Sequence, residues 1–385
     1  MPYPRAMRRW GAERTAAPWA TAVGVVLVAF GLAGTASGGT VRVLLLDRRD
    51  SVEIEPAGGT PVEVRTARGG LRVAGRRSGR ALRFDGPLRV EGRRYRGAIE
   101  VLERSEGIRV INEVPLEAYV AGTLLGEVGA GFGAAVLEAQ AVATRTYALH
   151  RRSKSARSLA GGDFDLESGT LGQVYLGMDG ESPAAWDAVD ATRGEVLAFG
   201  GQAILAVFHG TSGGRTASAA EVWGEPVPYL VSQPVEGEEE SPDTYWRAPI
   251  STDEISAALA RADHLVGRVR TIAVVARTPS ARCAVLRIEG SRGTAEITGV
   301  ALRRALGEAR IRSTLFDVHP GPGGFVFVGS GRGHGVGMSQ WGARVMAERG
   351  ADYRAILRHF YPGAELRHLA IEGASGLAAA GAGGS

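Results

Sequence analysis

One acidic residue, Glu127, stands among glycines directly before an apolar segment, a placement that could present a carboxylate to a ligand. The stretch from Leu124 to Tyr147 reads LLGEVGAGFGAAVLEAQAVATRTY and has four glycines between positions 126 and 133. Glycine lets the backbone come close to another surface, because no side chain intervenes. On local chemistry alone, a solvated surface position is the ordinary alternative for such a glutamate.

Arg145 lies in the apolar segment that follows. Eleven of the 16 residues from Ala134 to Leu149 are apolar, and they cover every side of a helical wheel. This pattern predicts a helix enclosed by protein, with Arg145 half-buried. A guanidinium there needs an anionic partner, because a desolvated unpaired charge is costly, and either a substrate or a carboxylate would serve.

A second glycine-rich loop follows a predicted hairpin that ends near His209. The loop consists of Ser212, Gly213, Gly214 and Arg215. Its glycines would let the backbone approach a polar ligand, and the guanidinium could bind that ligand. His209 could contact the same ligand, with a hydrogen-bonded wall position as the alternative. For the loop, the alternative is an ordinary turn before a helix.

A third glycine-rich loop spans residues 333–340 with the sequence GHGVGMSQ. Its glycines would let a histidine face a cleft, and its serine is placed to cap a helix that runs toward Arg349. The GxxxxGK[ST] spacing of phosphate-binding loops is absent, which excludes that class. Tight packing is the remaining alternative. The residues that we expect to contact a ligand are His334, Gly335, Met338, Ser339 and Gln340.

The elements that must position these residues are strands and helices in mixed order. Residues 40–105 form short alternating runs divided by glycines, which predict strands and hairpins without catalytic spacing. Asn112 and Pro115 predict the start of a helix at about Leu116 that ends near Glu127. The predicted fold class is α+β, with mixed β-sheets and hairpins around a buried central helix and a small β-rich N-terminal domain.

The N-terminus has the layout of a secretory signal. Arg5, Arg8 and Arg9 precede an apolar stretch from Ala16 to Ala33, and small residues follow it. The stretch is slightly long for a cleaved signal and slightly short for a comfortable membrane span, so an uncleaved anchor is the alternative. We therefore expect an extracytoplasmic protein, secreted or anchored at the cell envelope, that touches the membrane only through this segment.

The charge balance argues against a nucleic-acid partner. The formal net charge of +4 falls to about +1 once the four arginines and one glutamate of the N-terminal segment are removed. Basic and acidic residues are then nearly equal in number, so we predict no nucleic-acid binding. The single cysteine, Cys283, cannot form an internal disulfide and is typical of a small buried strand residue.

Three blocks of the sequence resemble, in order, the signatures of the stage II sporulation protein D and amidase-enhancer family. The first block reads VINEVPLEAYVAGTLLGEV and continues as LEAQAVATRTYAL. The second reads FHGTSGGRTASAAEVWGEPVPYL, and the third reads GRGHGVGMSQWGARVMAERG. Three ordered blocks make the match specific.

The resemblance implies a peptidoglycan lytic transglycosylase in which Glu127 matches the catalytic acid. An apolar, glycine-lined site would raise the pKa of this residue, so that it donates a proton and then accepts one from the sugar's own C6 hydroxyl. The product would be a 1,6-anhydro end, formed without a second carboxylate and without a cofactor. The resemblance also implies an alternative, a non-catalytic cell-wall-binding protein that stimulates an amidase. A purely structural envelope protein is the third possibility.

The ligand set of a zinc site is incomplete. Some family members have a Cys, a Cys-His pair and a further Cys that look like zinc ligands. Here Glu167, Leu171 and Gly172 occupy the first three positions and Ser212 the last, so only His209 remains. Zinc prefers four nitrogen or sulfur ligands, and we therefore predict no structural metal.

We expect the candidate ligand-binding residues of all three glycine-rich segments to line one groove. Arg145, the loop at residues 212–215 and the loop at residues 334–340 would line it, with Glu127 at its base, and hold the hydroxyl and acetamido groups of a glycan strand. Trp223 and Tyr229 could pack on sugar faces, with core packing as the alternative. The predicted parts are a signal or anchor (1–37), a β-rich domain (38–105), a catalytic domain (106–370) and a disordered tail (371–385).

Overall fold

The computed structural model describes residues 39–129, 131–156, 162–169 and 172–369, which belong to one compact unit. Helices and several mixed sheets alternate within it, so the predicted α+β class is confirmed. The predicted signal or anchor and the predicted C-terminal tail lie outside the described residues. In the described part of the chain, no helix combines the length and the apolar character needed to cross a membrane.

Among the described residues, ten strands precede the first helix, and most bury alternate residues, as expected where one face of a sheet packs on a core. Two sheets result, with strand orders β11-β1-β10-β9-β6 and β5-β4-β3-β2-β7-β8. The strands are β1 (Thr40–Arg49), β2 (Ser51–Pro56), β3 (Val62–Ala67), β4 (Gly70–Val73), β5 (Arg76–Arg77), β6 (Ala81–Asp85), β7 (Leu88–Val90), β8 (Arg93–Tyr95), β9 (Ala98–Arg104), β10 (Gly107–Pro115) and, later in the chain, β11 (Leu166–Glu167).

The boundary predicted at residue 105 falls in the tight hairpin between β9 and β10, whose strands pair along their length. The division into a β-rich and a catalytic domain stays a prediction.

Two consecutive helices, α1 (Leu116–Val128) and α2 (Ala134–Ala156), follow the strands. Helix α1 begins after Pro115, as predicted, but Asn112 does not cap it. Asn112 is buried in β10, where its side-chain amide donates to the carbonyls of Arg96 and Ala98. A tertiary hydrogen bond therefore takes the side chain that the sequence suggests for a cap.

The remaining helices are short, and the remaining strands pair in small sheets. The helices are α3 (Pro183–Ala191), α4 (Ala219–Trp223), α5 (Thr252–Arg261), α6 (Gly299–Leu306), α7 (Gln340–Glu348) and α8 (Tyr353–Phe360), with 3-10 turns at Gly177–Gly180 and Glu238–Glu240. The strands are β12 (Glu195–Phe199), β13 (Gln202–Ala203), β14 (Phe208–His209), β15 (Trp246–Ser251), β16 (Val269–Arg277), β17 (Cys283–Gly290), β18 (Gly293–Thr298), β19 (Phe316–Gly321), β20 (Gly324–Gly329), β21 (Met338–Ser339) and β22 (Glu365–His368).

Helix α2 is the buried central helix that the sequence predicts. One of its faces contributes Leu137 and Ala141 to a core shared with α1 and the first two sheets. Another face contributes Val136 and Val142 to a second core, which is formed with the segments around β14, β21 and α8. A third core lies among β15 to β20. Helix α2 thus joins the first sequence block to the second and third.

Candidate active site

Glu127 lies in the last turn of α1, not in the glycine turn that follows it. Its side chain is partly exposed, and one carboxylate oxygen, Oε1, accepts a hydrogen bond from the backbone N–H of Val174 at 2.6 Å. The other oxygen accepts no hydrogen bond from the described residues. The carboxylate is therefore held at one oxygen and open at the other.

Two glycines on one face of α1 bring Val174 to the carboxylate. A Cβ at Gly126 would lie 2.3 Å from the Val174 carbonyl oxygen, and one at Gly122 would lie 2.7 Å from the carbonyl of Gly177. Real Cβ atoms do not approach backbone this closely, so only glycine permits the contact. In contrast, a Cβ at Gly131 or Gly133 would meet open space. The glycine of this stretch that the packing requires is thus Gly126, inside the helix.

Burial raises the pKa of Glu127 to about 7, and the hydrogen bond from Val174 lowers it in part. Desolvation has this effect because it disfavours the charged form of a carboxyl group. Tyr119 and Tyr147 lie nearby. Burial raises the pKa of each phenol, and the negative charge of Glu127 adds to the increase. Glu127 is therefore a carboxyl group that holds or releases its proton near neutral pH.

The expected contact between Arg145 and a ligand is wrong. Arg145 is fully buried, and its Nη2 lies 2.7 Å from Oε2 of Glu117, whose side chain is 3% exposed. Its Nε donates to both oxygens of the same carboxylate, and Nη1 donates to the carbonyl of Glu195 at 3.0 Å. Of the two partners that the sequence allows, the protein uses a carboxylate. Because this carboxylate is not Glu127, Arg145 does not oppose the raised pKa of that residue by direct pairing.

The loop at residues 212–214 encloses an anion that belongs to the chain itself. The backbone N–H groups of Ser212, Gly213 and Gly214 all donate to the carboxylate of Glu238, at 3.0, 2.9 and 3.1 Å. The hydroxyls of Ser212 and Ser339 donate to it as well. Glu238 is 4% exposed. The donors expected to face a ligand are therefore occupied, which corrects the expectation for Ser212, Gly213 and Gly214.

Arg215, the last residue of this loop, is exposed, and its Nη1 lies 3.4 Å from Oγ of Ser232. Its predicted contact with a ligand stays a prediction.

The second and third glycine-rich loops lie side by side. Strand β14 pairs in parallel with β21, so that Phe208 faces Met338 and His209 faces Ser339. The rings of His209 and His334 lie 5.7 Å apart, and the ring of Trp223, which is 44% exposed, lies 5.7 Å from His334. The structure thus brings the second and third glycine-rich loops together, as the sequence predicts.

Burial keeps both histidines neutral near pH 7. It lowers the pKa of His334 to about 4, with the charge of Arg303 adding to the effect, and it lowers the pKa of His209 well below its usual value. His209 donates through Nδ1 to the carbonyl of Val336, and its buried Nε2 has no partner among the described residues. The Nδ1 atom of His334 accepts from the Val336 N–H. His334 is partly exposed and is thus the histidine that a ligand can reach.

Most other residues of the third loop are structural. Ser339 caps α7 through the Gly342 N–H, as predicted, but it is fully buried, as is Met338. Gly335 is buried with φ 83° against the guanidinium of Arg282. These positions correct the expectation that Gly335, Met338 and Ser339 contact a ligand. Gln340 is 7% exposed.

Contacts connect the third loop to the first block. The ring of Trp341 lies 5.7 Å from that of Phe132, which stands in the connection between α1 and α2. The Arg344 guanidinium stacks over Trp341, 4.8 Å from its ring centre. Nε2 of Gln340 lies 3.5 Å from Oε1 of Gln140 on α2. The third loop thus adjoins the segment that follows Glu127, while a single groove with Glu127 at its base stays a prediction.

Sequence reasoning missed Glu238 and Trp341. Glu238 belongs to an acidic run, EGEEE, that is typical of a solvated loop, and nothing local distinguishes it from its exposed neighbours Glu239 and Glu240. Trp341 stands in the third block, where its aromatic side chain was the available signal. Tyr229, in contrast, is partly buried, and its hydroxyl accepts from the Leu205 N–H at 3.1 Å.

No group of three His, Cys, Asp or Glu side chains suited to a metal ion occurs among the residues that the structure describes. Glu167, Gly172 and Ser212 lie in this part of the chain, and Leu171 lies outside it. The prediction that the protein has no structural metal remains open to elemental analysis.

Comparisons with known proteins agree with the resemblance of the three blocks. A family model described as stage II sporulation protein matches residues 104–199, and one described as a domain of unknown function matches residues 222–337. An uncharacterized protein of Brachyspira hyodysenteriae is 32% identical over 279 residues, which are 72% of this chain and 73% of that protein.

Two relatives with descriptive names are also similar. The stage II sporulation protein D of Bacillus amyloliquefaciens is 30% identical over 268 residues, which are 66% of this chain and 75% of that protein. The amidase enhancer of Bacillus subtilis is 28% identical over 290 residues, which are 64% of this chain and 40% of that protein.

Proposed function

Because the chain belongs to the stage II sporulation protein D family, we propose that it is a cell-envelope enzyme that cleaves peptidoglycan glycan strands as a lytic transglycosylase. The observation that carries the proposal is the state of Glu127. Its carboxyl group is partly buried, its pKa is raised to about 7, and one oxygen is free of hydrogen bonds from the described residues. These are the properties of a general acid that works near neutral pH.

Glu127 serves both proton transfers of the proposed reaction. Its protonated carboxyl donates to the glycosidic oxygen while the bond from that oxygen to C1 breaks, and positive charge develops on the sugar ring. The resulting carboxylate then accepts the proton of the C6 hydroxyl as O6 bonds to C1. Glu127 ends as it began, and the product carries a 1,6-anhydro ring. No second carboxylate is required, unlike in the paired-acid mechanism of most glycosidases.

Val174 and the aromatic residues support this scheme. The Val174 N–H holds one carboxylate oxygen, so the other is left to face the glycosidic bond. Trp341, partly exposed beside Phe132, has an indole N–H without an acceptor among the described residues and offers an aromatic surface for a sugar ring. Trp223 offers a second surface beside His334.

The rate of cleavage should fall as the pH rises through about 7. The pKa of Glu127 in the folded protein is raised, so the protonated form predominates below about 7 and is lost above it. A general acid acts only in its protonated form. Measurement of kcat/KM against pH on purified glycan strands checks this. A profile that stays flat from neutral into alkaline pH contradicts the assignment of Glu127 as the acid.

Replacement of Gly126 by alanine should reduce kcat by roughly 10-fold to 100-fold, the scale on which small misplacements of catalytic groups act. The added Cβ forces the Val174 carbonyl away from α1, and the Val174 N–H moves with it. Gly131→Ala is the matched control, because a Cβ there meets open space. Equal activities of the two variants would show that the contact between Gly126 and Val174 does not position Glu127.

The second candidate function is a non-catalytic protein that binds glycan and stimulates a cell-wall amidase. The similarity to the amidase enhancer of B. subtilis favours it. Two parallel incubations of the purified protein distinguish the two functions. One contains glycan strands alone, and the other contains intact peptidoglycan and an amidase. Shorter strands in the first incubation support the enzyme. Intact strands in the first and faster amide cleavage in the second support the enhancer.

A further inference from the structure

Seven arginines and no carboxylate occupy residues 64–84, which span β3 to β6. The formal charge of the whole chain is only +4, so this segment concentrates positive charge locally. Five of these arginines lie on β3, β4, β5 and their turns, and all five are exposed. Arg76 is paired with Val73, so it lies on the opposite face of the sheet from Arg72 and Arg77. We call the other four the arginine patch: Arg65, Arg68, Arg72 and Arg77.

Strand register aligns three members of the patch. Arg65 on β3 stands opposite Arg72 on β4, and Arg72 stands opposite Arg77 on β5. Directly paired residues of antiparallel strands share one face of the sheet, so the three side chains emerge in a row across the strands. Like charges placed directly opposite each other destabilise a sheet. The row therefore costs stability unless an anion lies on it.

Among the described residues, a carboxylate neutralises only one arginine of the patch, Arg65. Arg65 pairs with Glu63 at 2.7 Å, but Arg68 and Arg72 have no carboxylate partner within the described ranges. The Arg77 guanidinium donates to the carbonyls of Arg68 and Gly69, both at 3.0 Å, which fixes its position and leaves its charge unpaired there.

The other end of the same sheet shows the contrast. Arg89 on β7 pairs with Glu55 on β2, and Arg94 on β8 pairs with Asp179. Just beyond the patch in sequence, Arg83 on β6 pairs with Glu100 and Glu113. Most exposed arginines around the patch therefore have carboxylate partners, although Arg93 on β8 has none among the described residues. The patch is where arginines without such partners lie side by side.

We propose that the arginine patch binds a linear phosphodiester polymer of the cell envelope. Neighbouring strands lie about 4.8 Å apart, so the row offers guanidinium groups at roughly this interval along a line. A chain of phosphodiesters presents anions along a line as well, whereas a single phosphate meets one member of the row. Guanidinium groups bind phosphate oxygens through paired, charge-assisted hydrogen bonds. This proposal does not depend on the chemistry of Glu127.

The test measures binding of the full-length protein to synthetic poly(glycerol phosphate). The variant Arg68→Gln/Arg72→Gln removes two members without carboxylate partners and keeps Arg77, whose guanidinium holds the turn. Its affinity at low salt should be lower by roughly tenfold or more, and its salt dependence should be shallower, because fewer ion contacts form. Its thermal stability should not fall, since opposed like charges are relieved. If the patch had only a structural role, the variant would bind the polymer like the unaltered protein and would lose thermal stability.

The matched control is Arg247→Gln/Arg270→Gln. These arginines are exposed and lack carboxylate partners in the described part of the chain, so the net charge changes equally. We expect the control to bind poly(glycerol phosphate) like the unaltered protein. Equal losses in both double variants overturn the proposal, because net charge alone would explain them. Stronger patch-dependent binding to phosphatidylglycerol vesicles or to double-stranded DNA, at equal phosphate concentration, overturns the choice of polymer.

Discussion

Replacement of Glu127 by glutamine should reduce cleavage of glycan strands by on the order of 10²-fold or more, the usual scale of general acid catalysis. Glutamine has nearly the same shape, and its amide oxygen can still accept the hydrogen bond from Val174. It cannot donate a proton to the glycosidic oxygen or accept one from the C6 hydroxyl as a carboxylate does. The loss should therefore appear in kcat, with glycan binding retained.

The same substitution should leave the fold intact. In the native protein, burial penalises the charged form of Glu127, so its pKa is raised to about 7 from its ordinary value of 4.5. The folded state thus binds more protons than the unfolded state between these values, and stability falls as the pH rises through this window. The neutral amide removes this dependence, so Glu127→Gln should be at least as stable as the unaltered protein above pH 7.

Glu138→Gln is the matched control for activity. Glu138 stands on α2, and burial raises its pKa as well. Nothing in the site assigns it a proton transfer, so the control should retain activity. Equal losses in the two variants would indicate a general effect of removing a carboxylate. Unchanged turnover in Glu127→Gln would exclude this residue from the chemistry.

Replacement of Arg145 by methionine should destabilise the protein by about 3–5 kcal/mol, the range for breaking a buried ion pair. The Glu117 carboxylate would be left buried without its counter-charge. Among the described residues, only the Gly194 N–H, at 3.3 Å from Oε1, would remain as a donor. Denaturant unfolding measures the loss. Because Arg145 is fully buried and pairs with Glu117, kcat and KM of the folded variant should change little.

The double variant Glu117→Gln/Arg145→Met tests the cause. Neutralising the orphaned carboxylate should restore a large part of the lost stability, since the cost arises from the unpaired charge. Additive losses in the two single variants would show that the pair is not the source. A stable Arg145→Met protein with a strongly raised KM would return Arg145 to the role of a substrate contact.

Local patterns predict those features of the fold that local physics decides. The apolar wheel of residues 134–149 predicts an enclosed helix, and α2 is enclosed because it serves two cores. Ser339 is predicted to cap α7, and it does so because a serine before a helix satisfies an otherwise free N–H. The position of Glu127 near the end of α1 follows from the same kind of reasoning.

Local sequence patterns cannot identify hydrogen-bond and ion-pair partners that lie far apart in the sequence. The need of Arg145 for an anion is evident from its apolar surroundings, but only the folded chain selects Glu117, which is 28 residues away. Likewise, the glycines at 212–214 predict a cradle for a polar group, and the group proves to be Glu238. Similar glycines also differ in role, because the close approach of Val174 makes Gly126 obligatory while Gly131 faces open space.

The most direct test of the central claim is mass spectrometry of the products from purified glycan strands cleaved in water labelled with a heavy oxygen isotope. Transglycosylation closes the C6 oxygen of the sugar itself onto C1, so we predict 1,6-anhydro ends that contain no label. Hydrolysis would place a labelled oxygen at C1 and give reducing ends. Labelled reducing ends, or strands that remain uncut, would contradict the proposal that this protein is a lytic transglycosylase.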